Sequence, residues 1–318
     1  MSIEISESTY KGIFCLKIEN ETICATFLPA QGAKLCSLIY KPTGKEFILQ
    51  SSHTAYPEAE YAQDYLLGDC AGVDEMFPNI DQCFYDAEPW LGTRLPDHGE
   101  VWALPWNYTI GKDDIEFHTH GVRLPYTLSK RVSIAQPCTL KTDYIVRNMS
   151  PFPMDYIWAA HMMIASQKGC ALNFPDGLKK AYVTMSDSQL IGTYGDTFEY
   201  PLVHKQDGTV YDVRIHRGPE ANDYQKFYFA DPLPEGWGEI LYPDGHRLRV
   251  EFPKEEVPYI GAIQAEGGEL NIRCLFLEPC TGAFDRPDIA KLHGMNSVLP
   301  PNSESGWYLN IKVDKGNT

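Results

Sequence analysis

Short segments of β character recur along almost the whole of this 318-residue chain. They alternate apolar and polar residues or are rich in β-branched and aromatic ones, which favours strands. The clearest segments are Gly12–Ile18, Thr22–Leu28, Ala33–Tyr40, Val101–Ile110, Tyr126–Ile134, Thr139–Val146, Tyr156–Ala165, Val210–His216, Lys226–Ala230, Gly238–Tyr242, Arg247–Phe252, Tyr259–Gln264, Leu270–Leu277 and Trp307–Val313. Turn sequences such as Pro-Thr-Gly at 42–44 and Pro-Asp-Gly at 243–245 separate many of them. This pattern is typical of hairpin-connected antiparallel sheets.

Helical signals are few. The best helical candidate is Glu58–Leu67, and Asp288–Leu292 is long enough for a turn of helix. The 23 prolines are spread along the chain and leave little room for long helices. No repeat of 20–50 residues and no linker-like stretch divides the sequence. We therefore predict an all-β protein, a large antiparallel β-sandwich with few short helices, as a single domain over residues 1–318.

The composition limits the class of partner. The formal net charge is −16, which repels nucleic acid and anionic membranes and favours neutral or cationic ligands. No apolar stretch approaches the ~20 residues that a membrane helix needs. The N-terminal MSIEISESTYKGIF lacks the basic and apolar regions of a signal peptide, and nine cysteines without a CxxC pair indicate reduced thiols. We expect a cytoplasmic protein that binds neither nucleic acid nor membrane.

Three titratable residues lie in apolar, strand-like surroundings. They are His98 in RLPDHGEVW, His161 in DYIWAAHMMIA and Glu278 in RCLFLEPCTG. Such groups destabilise a fold unless they are paired or used. Their separate positions predict a site that the fold assembles. Proton transfer, metal binding and core hydrogen bonding all remain open at this point.

Glu278 carries the strongest of these signals. It follows an apolar run and precedes Pro279, so we expect the strand to end there with the carboxylate at its rim, as a general base facing a pocket. His161 alone is a weaker signal, because a histidine in an apolar strand is most often a hydrogen-bonded core residue.

Residues 90–106 form a second candidate region. Gly99 after His98 permits close approach of a ligand, and Trp102 and Trp106 offer flat apolar faces of the kind that grip sugar rings. The alternative is that both tryptophans are core; we favour a functional role. The adjacent acids Asp74 and Glu75 fit either a solvated loop or the same site.

A metal site receives less support. His118 and His120 have the spacing that puts two rings on one face of a strand, but no third ligand is near in sequence. We therefore interpret them as an exposed pair and predict no metal. We expect the remaining histidines at the surface; they are at 53, 204, 216, 246 and 293. Motifs for nucleotide binding, serine hydrolases and zinc proteases are absent.

The order of several segments resembles the aldose 1-epimerase (galactose mutarotase-like) superfamily over roughly residues 30–315. The segments are GAKLCSLIYKPTGKEFI, DEMFPNI, LPDHGEVW, the aromatic strand with His161, and LFLEPCTGAFDRPD. The resemblance implies a large antiparallel β-sandwich with an open sugar-binding face, and a small-molecule sugar as substrate. It also implies that no cofactor is needed. We expect a monomer or a homodimer.

The resemblance also implies roles for the three residues. Glu278 would take the proton of the anomeric hydroxyl and a protonated His161 would donate to the ring oxygen, so that the ring opens and recloses as the other anomer. His98 would bind a substrate hydroxyl. The expected substrate-binding residues are His98, Arg94, Asp74, Asn79 and Trp158.

The chain departs from the best-known members of that superfamily at three places. Asn79 stands where an arginine is usual, with Arg94 as the candidate replacement. Met162-Met163-Ile164 follows His161 in place of an aromatic-Asn-Leu run, and Pro279-Cys280 replaces a glutamine. Two alternatives therefore stay open: a non-catalytic sugar-binding protein, or a carbohydrate-active enzyme that pairs Glu278 with Asp74 or Asp97.

Overall fold

The computed structural model describes residues 2–205 and 207–316, which form 26 strands, one α-helix and three 3-10 helices. The first thirteen strands are β1 Glu4–Tyr10, β2 Ile13–Glu19, β3 Ile23–Leu28, β4 Lys34–Tyr40, β5 Lys45–Glu46, β6 Val73–Met76, β7 Cys83–Phe84, β8 Arg94–Leu95, β9 Asn107–Ile110, β10 Asp114–His120, β11 Tyr126–Gln136, β12 Thr139–Asn148 and β13 Met154–Tyr156. The other thirteen are β14 Ala159–Ile164, β15 Ala171–Asn173, β16 Lys180–Ser186, β17 Thr197–Glu199, β18 Leu202–His204, β19 Val210–Asp212, β20 Tyr224–Phe229, β21 Trp237–Leu241, β22 His246–Glu251, β23 Tyr259–Gly267, β24 Ile272–Cys280, β25 Ser297–Leu299 and β26 Glu304–Lys315.

Two large antiparallel sheets contain most of these strands. The 12-stranded sheet runs in the order β1-β2-β3-β4-β6-β14-β24-β23-β20-β16-β17, with β5 paired to β4. The 8-stranded sheet has the order β15-β21-β22-β26-β12-β11-β10-β9. The predicted all-β architecture, a large antiparallel β-sandwich, is confirmed.

Burial explains why the strands differ in sequence pattern. β14 and β23 are buried at every position, because one face packs on the second sheet and the other lies under the loops that cover the first. Their sequences therefore read as continuous apolar runs. β11, in the second sheet, alternates buried and more exposed residues, as expected when one face meets solvent. One hydrophobic cluster contains residues of both large sheets, among them Met162, Leu277 and Leu309.

The helical predictions had different outcomes. The α-helix Pro287–Leu292 confirms the prediction at Asp288–Leu292. The predicted helix Glu58–Leu67 is wrong, because within it only the 3-10 turn Tyr65–Leu67 forms. The Asp64 carboxylate accepts a hydrogen bond from the Leu66 N–H and so starts a separate short turn, which directs Tyr65 inward. The third and fourth helical segments are the 3-10 turns Val101–Ala103 and Pro219–Ala221.

All nine cysteines are free thiols. Among the described residues, we find no helix of the length and apolarity that a membrane crossing requires.

Candidate active site

The strand registers bring three distant acids and bases into one row. His161 of β14 pairs with Asp74 of β6 on one side. On the other side the register set by Ala159–Cys280 and Met162–Leu277 places His161 opposite Glu278 of β24. Side chains opposite each other on neighbouring strands point to the same face. Nε2 of His161 lies 3.3 Å from Oε1 of Glu278.

His161 of this row lies at the floor of an open cleft of about 770 Å³ on the face of the first sheet turned away from the second. Of the predicted site residues, His98, His161 and Arg94 line the cleft. Glu278, Asp74, Asn79 and Trp158 are not among the lining residues. The cleft also contacts residues that the sequence did not single out, including Tyr65, Arg123, Tyr224, Lys226 and Asp285.

Glu278 lies inside its strand. The expected strand end at Pro279 is wrong, because β24 continues to Cys280 and Pro279 pairs with Ile260 of β23. The missing N–H of Pro279 is tolerated because it falls on the β14 side, where no ladder pair forms between Ala159–Cys280 and Met162–Leu277. The carboxylate is therefore fully buried below the floor of the cleft.

A buried lysine compensates Glu278. Nζ of Lys226, on β20, lies 2.7 Å from Oε2 of Glu278 and 2.8 Å from Oδ1 of Asp285. Its side chain crosses β23 beside Gly261, where a Cβ would lie only 2.8 Å from that Oε2. Burial raises the pKa of Glu278, and Lys226 opposes this shift. Burial lowers the pKa of Lys226, but the charges of Asp285 and Glu278 outweigh it and raise the pKa above its usual value.

Lys226 was missed although its signal was present. It stands within YQKFYF, an aromatic strand buried at every position. The same rule that selected His161 therefore applied to it.

The surroundings of His161 favour its neutral form. Burial lowers its pKa well below the usual value, and Coulombic interactions with His98, Lys226 and Lys34 lower it further. This direction disfavours the protonated His161 that the resemblance implied, and the role of His161 as a proton donor stays a prediction.

Tyr65 joins the two histidines. Its hydroxyl donates to Oδ2 of Asp74 at 2.8 Å and lies 3.3 Å from Nδ1 of His161. Its ring stacks on His98, with centroids 4.0 Å apart and planes 11° apart. Tyr65 was overlooked because its segment was considered only as a candidate helix.

His98 is held by its sequence neighbour. Nδ1 of His98 lies 2.9 Å from Oδ1 of Asp97, and Oδ2 of Asp97 accepts the Tyr65 N–H at 2.9 Å. Burial raises the pKa of Asp97, but its interactions with His98 and the hydrogen bond from the Tyr65 N–H together outweigh this, and the pKa is lowered. Gly99 has φ of +75°, and a Cβ there would lie 2.5 Å from the Phe77 carbonyl oxygen. Only glycine fits this turn, which presents His98 to the cleft.

Asp74 is a buried anion on the far side of His161. Oδ2 lies 3.0 Å from Nζ of Lys34, which also pairs with Asp69. Burial raises the pKa of Asp74 to about 6, although Lys34 opposes the shift. Oδ1 of Asp74 has no hydrogen-bond partner among the described residues. The alternative of a solvated loop for Asp74 is therefore wrong.

Two expected substrate-binding residues are structural. Asn79 is fully buried and its amide donates to the backbone carbonyls of Asp81 and Pro96, tying two loops together. Trp158 lies between the sheets, where Nε1 donates to Oε2 of Glu75 at 2.9 Å and the ring packs on Trp307. Both predictions of cleft contact are corrected, because these side chains point into protein.

The two tryptophans of the second candidate region are also buried. Nε1 of Trp102 donates to the Asp97 carbonyl, and Nε1 of Trp106 donates to the Val101 carbonyl. Neither lines the cleft, so the interpretation of both as core residues replaces the one we favoured.

Arg94 lies on the wall of the cleft beside Arg123. The Arg94 side chain is exposed and donates to Gln82. Arg123 donates to the Arg94 carbonyl. Within residues 2–205 and 207–316, neither guanidinium has a carboxylate oxygen within 4.0 Å, unlike most arginines of this acidic chain.

The other histidines lie away from the cleft. His118 and His120 are exposed on β10 of the second sheet, as expected. His216 and His246 are buried, so their predicted surface position is wrong; both are held by hydrogen bonds from or to neighbouring loops. In the described part of the chain, no group of three or more His, Cys, Asp or Glu side chains is arranged to hold a metal ion.

Comparison by sequence finds no relative: no family model matches the chain, and no curated protein does. Solved structures do match. A candidate aldose 1-epimerase from Klebsiella pneumoniae subsp. pneumoniae MGH 78578 superposes with a TM-score of 0.71 at 11% identity, over 98% of this chain and 84% of its own. A galactose mutarotase-like protein from Lactobacillus casei ATCC 334 gives 0.67 at 15% identity, over 94% and 100%.

A galactose mutarotase related enzyme from Lactobacillus acidophilus gives a TM-score of 0.67 at 13% identity, over 95% of this chain and 97% of its own. These matches extend over nearly the full length of both partners, while the identities are far below those of close relatives. The chain therefore has the galactose mutarotase-like fold, in a sequence that has diverged widely from the other proteins that share it.

Proposed function

We propose that this protein is an aldose 1-epimerase, which interconverts the α and β anomers of a free sugar by opening and reclosing its ring. One observation carries the proposal. A neutral histidine at the floor of an open cleft has a buried carboxylate 3.3 Å from its Nε2, and a second histidine ring lies 5.0 Å from its own. This arrangement suits proton transfer to and from a sugar oxygen.

The geometry changes the roles that the sequence led us to expect. His161 lines the cleft and Glu278 lies behind it, so we assign the proton transfer to His161. The O1–H bond breaks as Nε2–H forms. The C1–O5 bond then breaks as C1=O1 forms, and Nε2–H returns its proton to O5. Rotation about C1–C2 and the reverse sequence give the other anomer, with no net gain or loss of protons.

Glu278 supports the charge that His161 acquires. The imidazolium formed during the reaction would have the carboxylate as its ion-pair partner, so its formation is less unfavourable than burial alone implies. Burial shifts the pKa of His161 downward and that of Glu278 upward, toward each other.

The remaining cleft residues bind the sugar. His98, with 20% of its side chain exposed, offers a ring nitrogen to a hydroxyl. The ammonium of Lys226 is a fixed positive donor that stabilises negative charge on a ring or anomeric oxygen. Arg94, together with Arg123, offers guanidinium donors to an outer oxygen of the substrate.

A sugar-binding protein without turnover is the second candidate. It is favoured by one observation: Glu278 has no exposed surface, and Lys226 lies against one of its oxygens. The paired-carboxylate alternative has less support, because neither Glu278 nor Asp74 lines the cleft, although Asp97 does.

The deciding experiment measures anomer exchange by NMR. Freshly dissolved α-anomers of neutral aldohexoses, uronic acids and hexose phosphates are mixed with the protein, and with His161→Ala, Glu278→Gln and the control His118→Ala. Accelerated exchange that both cleft variants reduce and His118→Ala retains supports the proposal. Binding without acceleration supports the second candidate, and cleavage of a glycoside would indicate the paired-carboxylate enzyme.

A further inference from the structure

Tyr65 lies at the centre of the site, and the proposed proton transfer gives it no role. Its side chain is buried, and its hydroxyl lies between Oδ2 of Asp74 and Nδ1 of His161, at 2.8 and 3.3 Å. Its backbone N–H is fixed by Asp97. The position of the hydroxyl is therefore determined by the fold from both ends.

Asp74 decides which way the tyrosine hydroxyl points. Nζ of Lys34 lies 3.0 Å from the same Oδ2, and Lys34 is itself buried, paired with Asp69 and hydrogen bonded to the Ala71 carbonyl. An ion-paired carboxylate can only accept a hydrogen bond. The single hydroxyl hydrogen of Tyr65 is therefore directed to Asp74.

The direction of that hydrogen determines the tautomer of His161. Because the tyrosine hydrogen is used on Asp74, the contact at Nδ1 is favourable only when Nδ1 carries a hydrogen and donates it to Oη of Tyr65. A neutral imidazole carries one hydrogen, so Nε2 then has a free lone pair. Nε2 is the nitrogen 3.3 Å from Glu278.

We propose that Tyr65 is a positioning residue: oriented by Asp74, it fixes His161 as the Nδ1–H tautomer and leaves Nε2 free to take up a proton beside Glu278. This inference rests on the proposed function only for its catalytic consequence. The tautomer itself is a property of the unliganded protein.

The groups around His161 are compatible with its Nδ1–H tautomer. The charged or titratable groups around His161 are Tyr65, Asp74, Glu278, Lys226, Lys34 and His98. Among these, Glu278 is the competing acceptor for an Nε2–H, but its Oε1 accepts no hydrogen bond from Nε2 although the two atoms lie 3.3 Å apart. In the imidazolium, which carries both hydrogens, Glu278 is the ion-pair partner. The arrangement thus favours an imidazole that is ready to accept a proton and an imidazolium that is paired once the proton has arrived.

The test is the ¹⁵N NMR spectrum of histidine-labelled protein without substrate, at pH 8, above the pKa of about 6 that burial gives to Asp74. The spectrum of His161→Gln identifies the His161 signals. In the wild type we expect Nδ1–H. An Nε2–H signal in the wild type would overturn the inference without any variant.

Tyr65→Phe is the decisive variant. It keeps the stacked ring and removes only the acceptor oxygen, so Nδ1–H loses its partner and the tautomer changes to Nε2–H, donated to Glu278. Tyr61→Phe is the matched control, because the Tyr61 hydroxyl also donates to a buried carboxylate, Glu100 at 2.6 Å, but does not touch a histidine. The control should keep the wild-type tautomer.

Activity gives a second and separate readout. If anomer exchange is catalysed, Tyr65→Phe should lower kcat by about tenfold to a hundredfold with little change in KM, as expected from a misdirected catalytic group. The wild-type tautomer retained in Tyr65→Phe would overturn the inference and leave the proposed function standing. A changed tautomer in a protein without exchange activity would overturn the proposed function and leave the inference standing.

Discussion

Asp74 and Glu75 are neighbours in sequence, both fully or almost fully buried, and lie on opposite faces of β6. Glu75 faces the second sheet. Its oxygens accept hydrogen bonds from Lys130 at 2.8 Å, Tyr144 at 2.9 Å and Trp158 at 2.9 Å. Asp74 faces the side of the cleft, in the row with His161 and Glu278.

The two carboxylates differ in how many of their oxygens accept a hydrogen bond. Each oxygen of Glu75 has a fixed donor, whereas Oδ1 of Asp74 and both oxygens of Glu278 lack a well-formed hydrogen bond from any described residue. A fully paired buried acid contributes to one packed arrangement. An incompletely paired one retains a shifted pKa and the capacity to exchange a proton. The region between the sheets is thus structural, and the cleft row is where we propose that the chemistry takes place.

The largest expected effect is on the cleft row. His161→Ala should slow anomer exchange by about 10²–10⁴-fold, because it removes the group that carries the proton. Urea unfolding should still give a cooperative transition. Exchange at the wild-type rate in this variant would mean that the row has no chemical role.

Between the two sheets, Lys130→Met should lower the free energy of unfolding by about 3–5 kcal/mol, because it leaves Glu75 buried without its cation. The rate per folded molecule should be unchanged. Arg147→Met is the control, since its ion pair with Glu304 is exposed and should contribute only about 0–1 kcal/mol. Equal losses in the two variants would contradict the structural assignment of Glu75.

The positive charge of Lys226, next to Glu278, should influence the pH dependence of the exchange rate. Neutral His161 is the active form, so the rate falls as the pH decreases through its pKa. The positive charge of Lys226 lowers that pKa, and Lys226→Met should therefore move the acid limb of the pH–rate profile to higher pH. Lys226→Arg, which keeps the charge, should leave the limb near its original position. A shift to lower pH would exclude a charge effect of Lys226 on His161.

A smaller effect is expected at the wall of the cleft. Arg94→Ala should raise KM by about tenfold and leave kcat unchanged, because a guanidinium that only binds an outer oxygen contributes equally to substrate and transition state. Arg131→Ala, in the second sheet, is the control and should change neither value. A loss of kcat in Arg94→Ala would place the arginine next to the reacting atoms.

The smallest effects are predicted at the second sheet. Replacement of both His118 and His120 by alanine should change the exchange rate little and the stability by less than about 0.5 kcal/mol, because both side chains are exposed. Loss of activity in a folded double variant would show that the cleft does not contain the whole site.

The fold was predictable from local patterns. β11 and β12 follow the alternation expected of sheets with one solvated face, and the Asp288–Leu292 turn formed next to Pro287 at its first position. The prediction failed at Glu58–Leu67, where composition favoured a helix. There, the capping carboxylate of Asp64 and the buried contacts of Tyr65 determined a single short turn. The contacts of Tyr65 with Asp97 and His161 span 32 and 96 positions of the sequence.

The site was predictable only in part. The rule that a titratable group in an apolar strand needs a partner selected His161 and Glu278, and it applied equally to Lys226. Their contacts depended on strand order: Pro279 suggested a strand end, but β24 has neighbours on both sides and continues past it. Trp158 and Asn79 could not be assigned to core or cleft, because both lie in connecting segments just outside β14 and β6, where strand alternation does not fix the direction of a side chain.

The sequence by itself determined the class of fold and the presence of buried acids and bases, because alternation, proline content and local burial preferences act over a few residues. The tertiary structure alone decided which of those groups meet. Asp74, His161 and Glu278 share a row through antiparallel register, and Glu75, one residue from Asp74, is directed to the opposite face by the pleat of β6. Contacts between residues about 90 and 120 positions apart depend on how the strands are ordered in the sheet, which no local pattern specifies.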